Sequence, residues 1–263
     1  MSIKADTFEK TYEVMRQKLD RIIPEIELKY KAELAYEINR LKKERGAVIL
    51  GHNYMEPALY ISVADIVGDS LELARAAAET SANPIVFCGV KFMAETAKIL
   101  SPGKMVLLPA EKAGCSLAES ISAEDVRNLR EKYPGVPVVT YVNTYADVKA
   151  ETDICCTSGN ASKVVQSLDS DVVIFLPDEY LAKNVARDTG KKIIFPSKEP
   201  KSESEMNESE ITYELIGWHG KCEVHEQFKV KDIENARKQF PDVVVLSHPE
   251  CSPEVVEASD FSG

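Results

Sequence analysis

No stretch of this 263-residue chain approaches the ~18 consecutive apolar residues that a membrane-spanning helix requires. The opening "MSIKADTFEKTYEVMRQKLDRIIPEIELKYKAE" carries charges throughout and lacks the apolar centre of a secretory signal, so a cytoplasmic protein with no membrane partner is expected. Basic residues are in deficit: 32 Lys and Arg against 43 Asp and Glu give a net charge of −11. That argues against nucleic acid or an anionic membrane as the main partner, because both need clustered cations to displace counterions. An anionic ligand would have to be held by local donors. Among six cysteines (Cys88, Cys115, Cys155, Cys156, Cys222, Cys251) none stands in C-x-x-C or zinc-finger spacing. In a reducing compartment structural disulfides are not expected, which leaves some thiols as candidate metal ligands.

What is present reads as a soluble globular α/β protein, 44% apolar and 29% charged. From about Ile26 to Arg45, Leu34, Ile38 and Leu41 fall at helical spacing, with Pro24 near the start and Gly46 just past the end. This predicts an amphipathic N-terminal helix. Then "AVIL", the amphipathic "ALYISVADIVGDSLELARAAAET" and "PIVFCGV" read strand, helix, strand, the signature of a parallel sheet with a crossover helix. The pattern returns. "PIVFCGVKFMAETAKILSPGKMVLLPAEKAGCSLAES" matches "DVVIFLPDEYLAKNVARDTGKKIIFPSKE" followed by a polar interruption and "GWHGKCEVHEQF". "AVILGHNY" likewise has counterparts in "VVTYVNT" and "VVVLSHPE". Three related βα units are predicted: an N-terminal helical segment 1–45, a first unit 46–117, a second unit 118–224 with a polar insert near 198–212, and the start of a third, 225–263. The insert, within "SKEPKSESEMNESEIT", reads as a solvated loop or a lid. His52 precedes Cys115 by 63 residues, and the same offset from His248 falls at about position 311. The expectation is a truncated or cleaved form whose third unit stops after its first strand and part of its first helix.

Two constellations carry chemistry. Cys115 and Cys222 sit where a loop turns into a helix, where unpaired N–H groups and the positive dipole end favour the metal-binding thiolate, helped by Lys112 and Lys221. Cys88 reads as core, Cys155 and Cys156 as the start of a turn, either a strained vicinal disulfide or two packing thiols, and Cys251 as a packing residue. The second constellation follows the first strand of each unit: His52, Asn53 and Tyr54, then Tyr141 and Asn143, then His248 and Glu250. Ligands of open α/β sheets bind outside the carboxyl ends of parallel strands, so these residues are placed to line a pocket. Taken singly, each has an ordinary explanation: His52 as a helix cap, Tyr54 as a surface residue, Asn143 as a turn former. "GDS" at 68–70 and "CCTSGNAS" at 155–162 put Ser70 and Ser158 at helix starts, suited to carboxylate or phosphate, or to simple capping.

Together, "GHNYMEP", "VGDSLELA", "LLPAEKAGCSLAES", "TYVNTYADVKAETDICCTSGNA", "GWHGKCEVHEQF" and "HPECSPEVVEASDFSG" resemble the quinolinate synthase family, iron–sulfur enzymes of de novo NAD synthesis, from about Gly46 to Gly263. The resemblance implies three αβα domains around a pseudo-threefold axis, the third incomplete here. It also implies a [4Fe–4S] cluster with Cys115 and Cys222 as two of three cysteine ligands; Cys251 does not match a ligand position, and the third cysteine is missing. The implied reaction condenses iminoaspartate with dihydroxyacetone phosphate to quinolinate, losing phosphate and two waters, with L-aspartate oxidase or aspartate dehydrogenase as the upstream source of iminoaspartate. By resemblance Tyr54, Glu250 and His248 are candidate acid–base residues, and His52, Ser70, Tyr141, Asn143 and Ser158 hold carboxylate and phosphate. Competing readings are an inactive truncated form retaining only anion or phosphosugar binding, a zinc or redox cysteine α/β protein, and a structural or interaction protein.

Overall fold

The computed structural model describes residues 2–196 and 213–263; the chain divides into two compact units, Met1–Gly114 and Cys115–Gly263. The first unit opens with two packed helices, α1 (Phe8–Leu19) and α2 (Glu25–Arg45). α1 lies in the segment 1–45 expected to be helical, although spacing singled out only the helix from Ile26; Thr7 caps it by accepting the Lys10 N–H. α2 ends as expected, at Gly46 with φ 63°. Its buried face differs from the predicted one. Leu28, Ala32 and Ala35 face the core, where small side chains let α1 approach closely, while Leu34, Ile38 and Leu41 are exposed.

The rest of this unit runs β1 (Val48–His52), α3 (Pro57–Ser62), β2 (Ile66–Gly68), α4 (Ser70–Glu79), β3 (Ile85–Cys88), α5 (Lys91–Leu100) and β4 (Val106–Leu107). The strands form an all-parallel sheet in the order β2-β1-β3-β4. The second unit runs α6 (Ser116–Glu119), α7 (Ala123–Lys132), β5 (Val138–Tyr141), α8 (Ala146–Ala150), β6 (Ile154–Cys156), α9 (Ala161–Ser167), β7 (Val173–Leu176), α10 (Glu179–Thr189), β8 (Ile193–Ile194) and β9 (Leu215–Ile216). Its parallel order is β6-β5-β7-β9-β8. α11 (Val230–Gln239), β10 (Leu246–Ser247), α12 (Pro253–Ala258) and β11 (Phe261–Ser262) then build a third, two-stranded parallel sheet. The architecture is α/β, with three parallel sheets among the described residues. β1, β5 and β7 are buried along their whole length, which is why they read as unbroken apolar runs. Among the described residues no helix is long and apolar enough to cross a membrane.

One side-chain arrangement recurs in all three sheets. An aspartate just before the second strand accepts the backbone N–H at the start of the first: Asp65 from Ile49 at 2.9 Å, Asp153 from Val138 at 2.7 Å, Asp260 from Val245 at 2.7 Å. Each aspartate also takes a cation from the preceding helix: Lys42 at 2.8 Å, Arg130 at 2.8 Å and Arg237 at 3.0 Å. The backbone N–H of each aspartate returns to the carbonyl of the same strand residue. The predicted repeat thus has a physical basis that the apolar pattern did not contain.

Three sequence readings are corrected in detail, and a fourth is untested. "GKKIIFP" was matched to "GKMVLLP", but its strand β8 lies at the sheet edge, and β9 takes the place beside β7 that β4 holds beside β3. Cys155 and Cys156 end strand β6 instead of starting a turn; alternation sends Cys156 into the core and leaves Cys155 exposed, both as free thiols. The third stretch carries a second strand, β11, where one strand and part of a helix were expected. The polar insert lies outside the described residues.

The segment leading to Cys222 is pinned to the start of the second unit. Trp218 Nε1 donates to Ser120 O at 3.0 Å, Gly220 N donates to Pro177 O, and Glu179 N donates to Gly220 O at 2.7 Å. A Cβ on Gly220 would stand 2.5 Å from Pro177 O and against Ser120 Oγ, so only glycine permits this approach. Gly220→Ala is expected to cost about 1–3 kcal/mol, read as a lowered denaturant midpoint; an unchanged midpoint would show that the segment is free to shift.

Asp65 gives a second prediction. Burial pushes its pKa up, but the bonds from Lys42, Ile49 N–H and Ser2 outweigh this and hold it below the ordinary carboxylate value. Asp65→Ala should lower stability by about 2 kcal/mol at neutral pH. A depressed folded pKa stabilises above the unfolded pKa and is lost as pH falls through the folded one, so the deficit should shrink as pH falls below the ordinary carboxylate value. Denaturation of both proteins on either side of that value checks it.

Candidate functional site

In the second sheet the chain leaves β5 towards β6 on one side and returns to β7 on the other, which opens a crevice at the carboxyl ends of β5 and β7. Tyr141 ends β5 and Asp178 follows β7, both buried. Asp178 caps α10, accepting the Leu181 N–H at 2.5 Å, and its carboxyl is pushed up to about 7 by burial, against the pull of backbone N–H groups that include Cys222. Burial raises the Tyr141 hydroxyl well above its usual value, with the Glu250 charge adding to it.

The loop after β10 meets this crevice. Asn184 on α10 donates to the carbonyls of Pro249 and Cys251 at 2.8 and 3.0 Å, fixing the residues on either side of Glu250. Glu250 is 2% exposed; its Oε2 lies 3.3 Å from Nδ1 of both His225 and His248, and its Oε1 has no hydrogen-bond partner. Burial, reinforced by Asp178, pushes this carboxyl up to about 8, with the Tyr141 hydroxyl opposing. The geometry agrees independently. His248 Nδ1 accepts the Glu250 N–H at 3.2 Å, so an ionised Oε2 would set lone pair against lone pair, whereas a protonated one can turn its O–H towards that nitrogen. That tautomer puts the His248 proton on Nε2, 3.2 Å from Ser158 Oγ. The His225 and His248 rings stack with centroids 4.6 Å apart. Burial and the neighbouring His225 bring His248 down to about 4, and burial lowers His225, so both are neutral near pH 7.

Cys222 precedes the 3₁₀ turn His225–Gln227, and Cys115 caps the four-residue α6. Both thiols are raised, Cys222 to about 11, chiefly by burial and secondarily by Glu250, although backbone N–H groups pull the other way. This corrects the expectation of favoured thiolates: the helical segments are too short to outweigh desolvation, and Lys221 is engaged by Glu226 at 3.5 Å and sits over the Tyr180 ring. A metal would itself deprotonate them. The ligand atoms of Cys222, His225 and Glu250 lie within 4.8 Å of one another.

The structure therefore brings together Cys115, Cys222, Tyr141, Ser158, His248 and Glu250 from the sequence candidates, with Asn143 half-buried in the bend after β5. The others belong to the first unit. His52 ends β1, buried, and its Nδ1 accepts the Tyr54 N–H at 3.3 Å, repeating the His248 turn. Burial lowers its pKa, with Asp69 opposing. Tyr54 is exposed, its ring 4.5 Å from that of His52. Ser70 is the first residue of α4, whose cap is Asp69. Cys88 is half-buried at the end of β3, and Cys251 packs with Ile233, Val255 and Val256. Sequence reasoning passed over His225 and Asp178. Their signals were the C-x-x-H spacing after Cys222 and the acid just past a strand end.

A family model described as quinolinate synthetase A protein matches residues 36–263. The chain is 54% identical over 247 residues to the quinolinate synthase of Sinorhizobium fredii, covering 94% of the chain and 63% of that relative. It is 55% identical to the quinolinate synthase of Agrobacterium fabrum, covering 92% and 64%. With quinolinate synthase 2 of Mesorhizobium japonicum it shares 52% identity, covering 98% and 72%. The chain thus spans less than two thirds of the length of the first two relatives. Its motifs, its parallel sheets and these matches place it in one group: the chain belongs to the quinolinate synthase family.

Proposed function

We propose that these residues serve quinolinate synthesis, the condensation of iminoaspartate with dihydroxyacetone phosphate with loss of phosphate and two waters, in a cytoplasmic route to NAD fed by an aspartate-oxidising enzyme such as L-aspartate oxidase or aspartate dehydrogenase. The observation that carries this is a buried carboxylic acid held neutral between two neutral imidazoles, beside two thiols. A dicarboxylate product needs donors without a competing anion. His248 Nε2, Ser158, Tyr141 and Asn143 supply them, and protonated Glu250 does not repel the ligand. Each loss of water needs an acid near its pKa, and Glu250 fits that role. His248, with Nδ1 occupied, suits a fixed neutral donor better than an acid–base group. By the family resemblance His52 and Ser70 are proposed as substrate-binding residues and Tyr54 as an acid–base group.

Cys115 and Cys222 suit two thiolate ligands of the [4Fe–4S] cluster that the family implies: Cys222 feels the charge of Cys115, and backbone N–H groups point at both sulfurs. When bound, such a cluster supplies an electrophilic iron for carboxylate and nitrogen or hydroxyl groups. We further propose the finer division of the second unit near residues 224–225, supported by the third occurrence of the aspartate arrangement.

After anaerobic reconstitution with iron and sulfide, quinolinate should form from the two substrates, and Glu250→Gln should lower kcat by roughly 10²–10⁴ while KM changes little. Reconstituted protein that neither makes nor binds quinolinate would overturn the reading. The protonation of Glu250 is checked separately on metal-free protein. Its folded pKa lies above the unfolded value near 4.3, so the folded chain holds an extra proton between the two and stability declines as pH rises to about 8. Glu250→Gln should flatten part of that decline, leaving the share due to Asp178. Parallel denaturation curves from about pH 5 to pH 9 would refute the assignment.

A further inference from the structure

We propose that Cys222, His225 and Glu250 form a site for one divalent transition-metal ion of the zinc class, with a fourth position open. This goes beyond quinolinate synthesis and requires neither iron nor sulfide. The three ligand atoms lie within 4.8 Å of one another, and bond lengths near 2.0–2.3 Å to a tetrahedral ion bring such atoms to roughly 3.3–3.8 Å. Small side-chain rotations close that difference. Two of the three residues carry an orphan: Glu250 Oε1 and His225 Nδ1 are buried with no hydrogen-bond partner. An unpaired buried acceptor is costly, and a cation aimed at by both removes that cost.

The donor set decides the class. Iron–sulfur clusters are held mainly by thiolates, whereas one sulfur, one imidazole nitrogen and one carboxylate oxygen form a mixed set that suits zinc or cobalt. Cys222 and His225 are three residues apart, close to one helical turn, on a segment pinned by Gly220 and Trp218, so two ligands arrive already positioned. Glu250 is held from the opposite side by Asn184. His248 does not enter the set, because its Nδ1 is engaged by the Glu250 N–H and its Nε2 by Ser158. It stacks on His225 and fixes that ring. Cys115 is outside the triangle. Since Cys222 is common to both, a single ion and a cluster would exclude one another.

The test is titration of the reduced, metal-free chain with Co²⁺ in the absence of iron and sulfide. Binding of one equivalent is expected, with a near-ultraviolet thiolate-to-cobalt band and four-coordinate visible bands that one equivalent of Zn²⁺ erases. Cys222→Ser should abolish the near-ultraviolet band, His225→Ala should weaken binding by roughly ten-fold or more, and Cys115→Ser should leave band and stoichiometry intact. No stoichiometric binding by the unmodified chain overturns the proposal without reference to any variant. So does a band that survives Cys222→Ser, or one lost with Cys115→Ser. Protein that fails this titration yet makes quinolinate after reconstitution would sink the single-ion site and leave the proposed function standing.

Discussion

Each parallel sheet here is started by an aspartate that joins three pieces of chain at one carboxylate. The preceding helix offers a cation, the first strand offers an N–H, and the aspartate itself stands at the entrance to the second strand. Hydrogen bonds to a charged acceptor are the stronger kind, and this one sets where each first strand begins. Where that strand begins fixes where it ends, and its end is where His52, Tyr141 and His248 emerge. The positions of the chemical residues are thus inherited from an interaction at the opposite end of the strand.

At the functional end the governing constraint is desolvation. Two buried carboxyls, with two half-buried imidazoles and two half-buried thiols beside them, are all moved by burial towards their neutral forms. Peptide N–H groups point at Asp178 and at both thiols, but they do not outweigh desolvation. On the proposed function the neutral forms are the useful ones: an acid with its proton, imidazoles with one donor each, and thiols that would lose their protons to a metal.

Much of the fold was legible because parallel strands covered on both faces leave long apolar runs, and because Gly46 and Pro24 bracket a helix. The two- and three-residue strands β2, β6 and β11 were not, since such short segments carry no period. α2 shows a different limit. Periodicity identified the helix but chose the wrong face, because alanines made the contact that the larger apolar residues were expected to make. The insertion of β9 misled the repeat alignment, since Gly-Lys was matched by identity and sheet position is decided by pairing. In the site, residues directly after strands were readable. His225 and Asp178 were overlooked because their importance comes from burial and from neighbours distant in the chain, neither of which a local pattern records.

The pinning of the Cys222 segment onto Ser120 and Pro177 has a consequence for the order of assembly. Cys115 and Cys222 are 107 positions apart, and the contacts that bring the second beside the first involve the end of α6 and the exit of β7. Such long-range contacts carry a large loop-closure cost and form only once the intervening sheet is in place. Neither thiol can therefore recruit an ion cooperatively with the other in a nascent or partly folded chain. On the proposed metal-binding reading, loading follows folding, and whatever delivers the metal meets a finished protein.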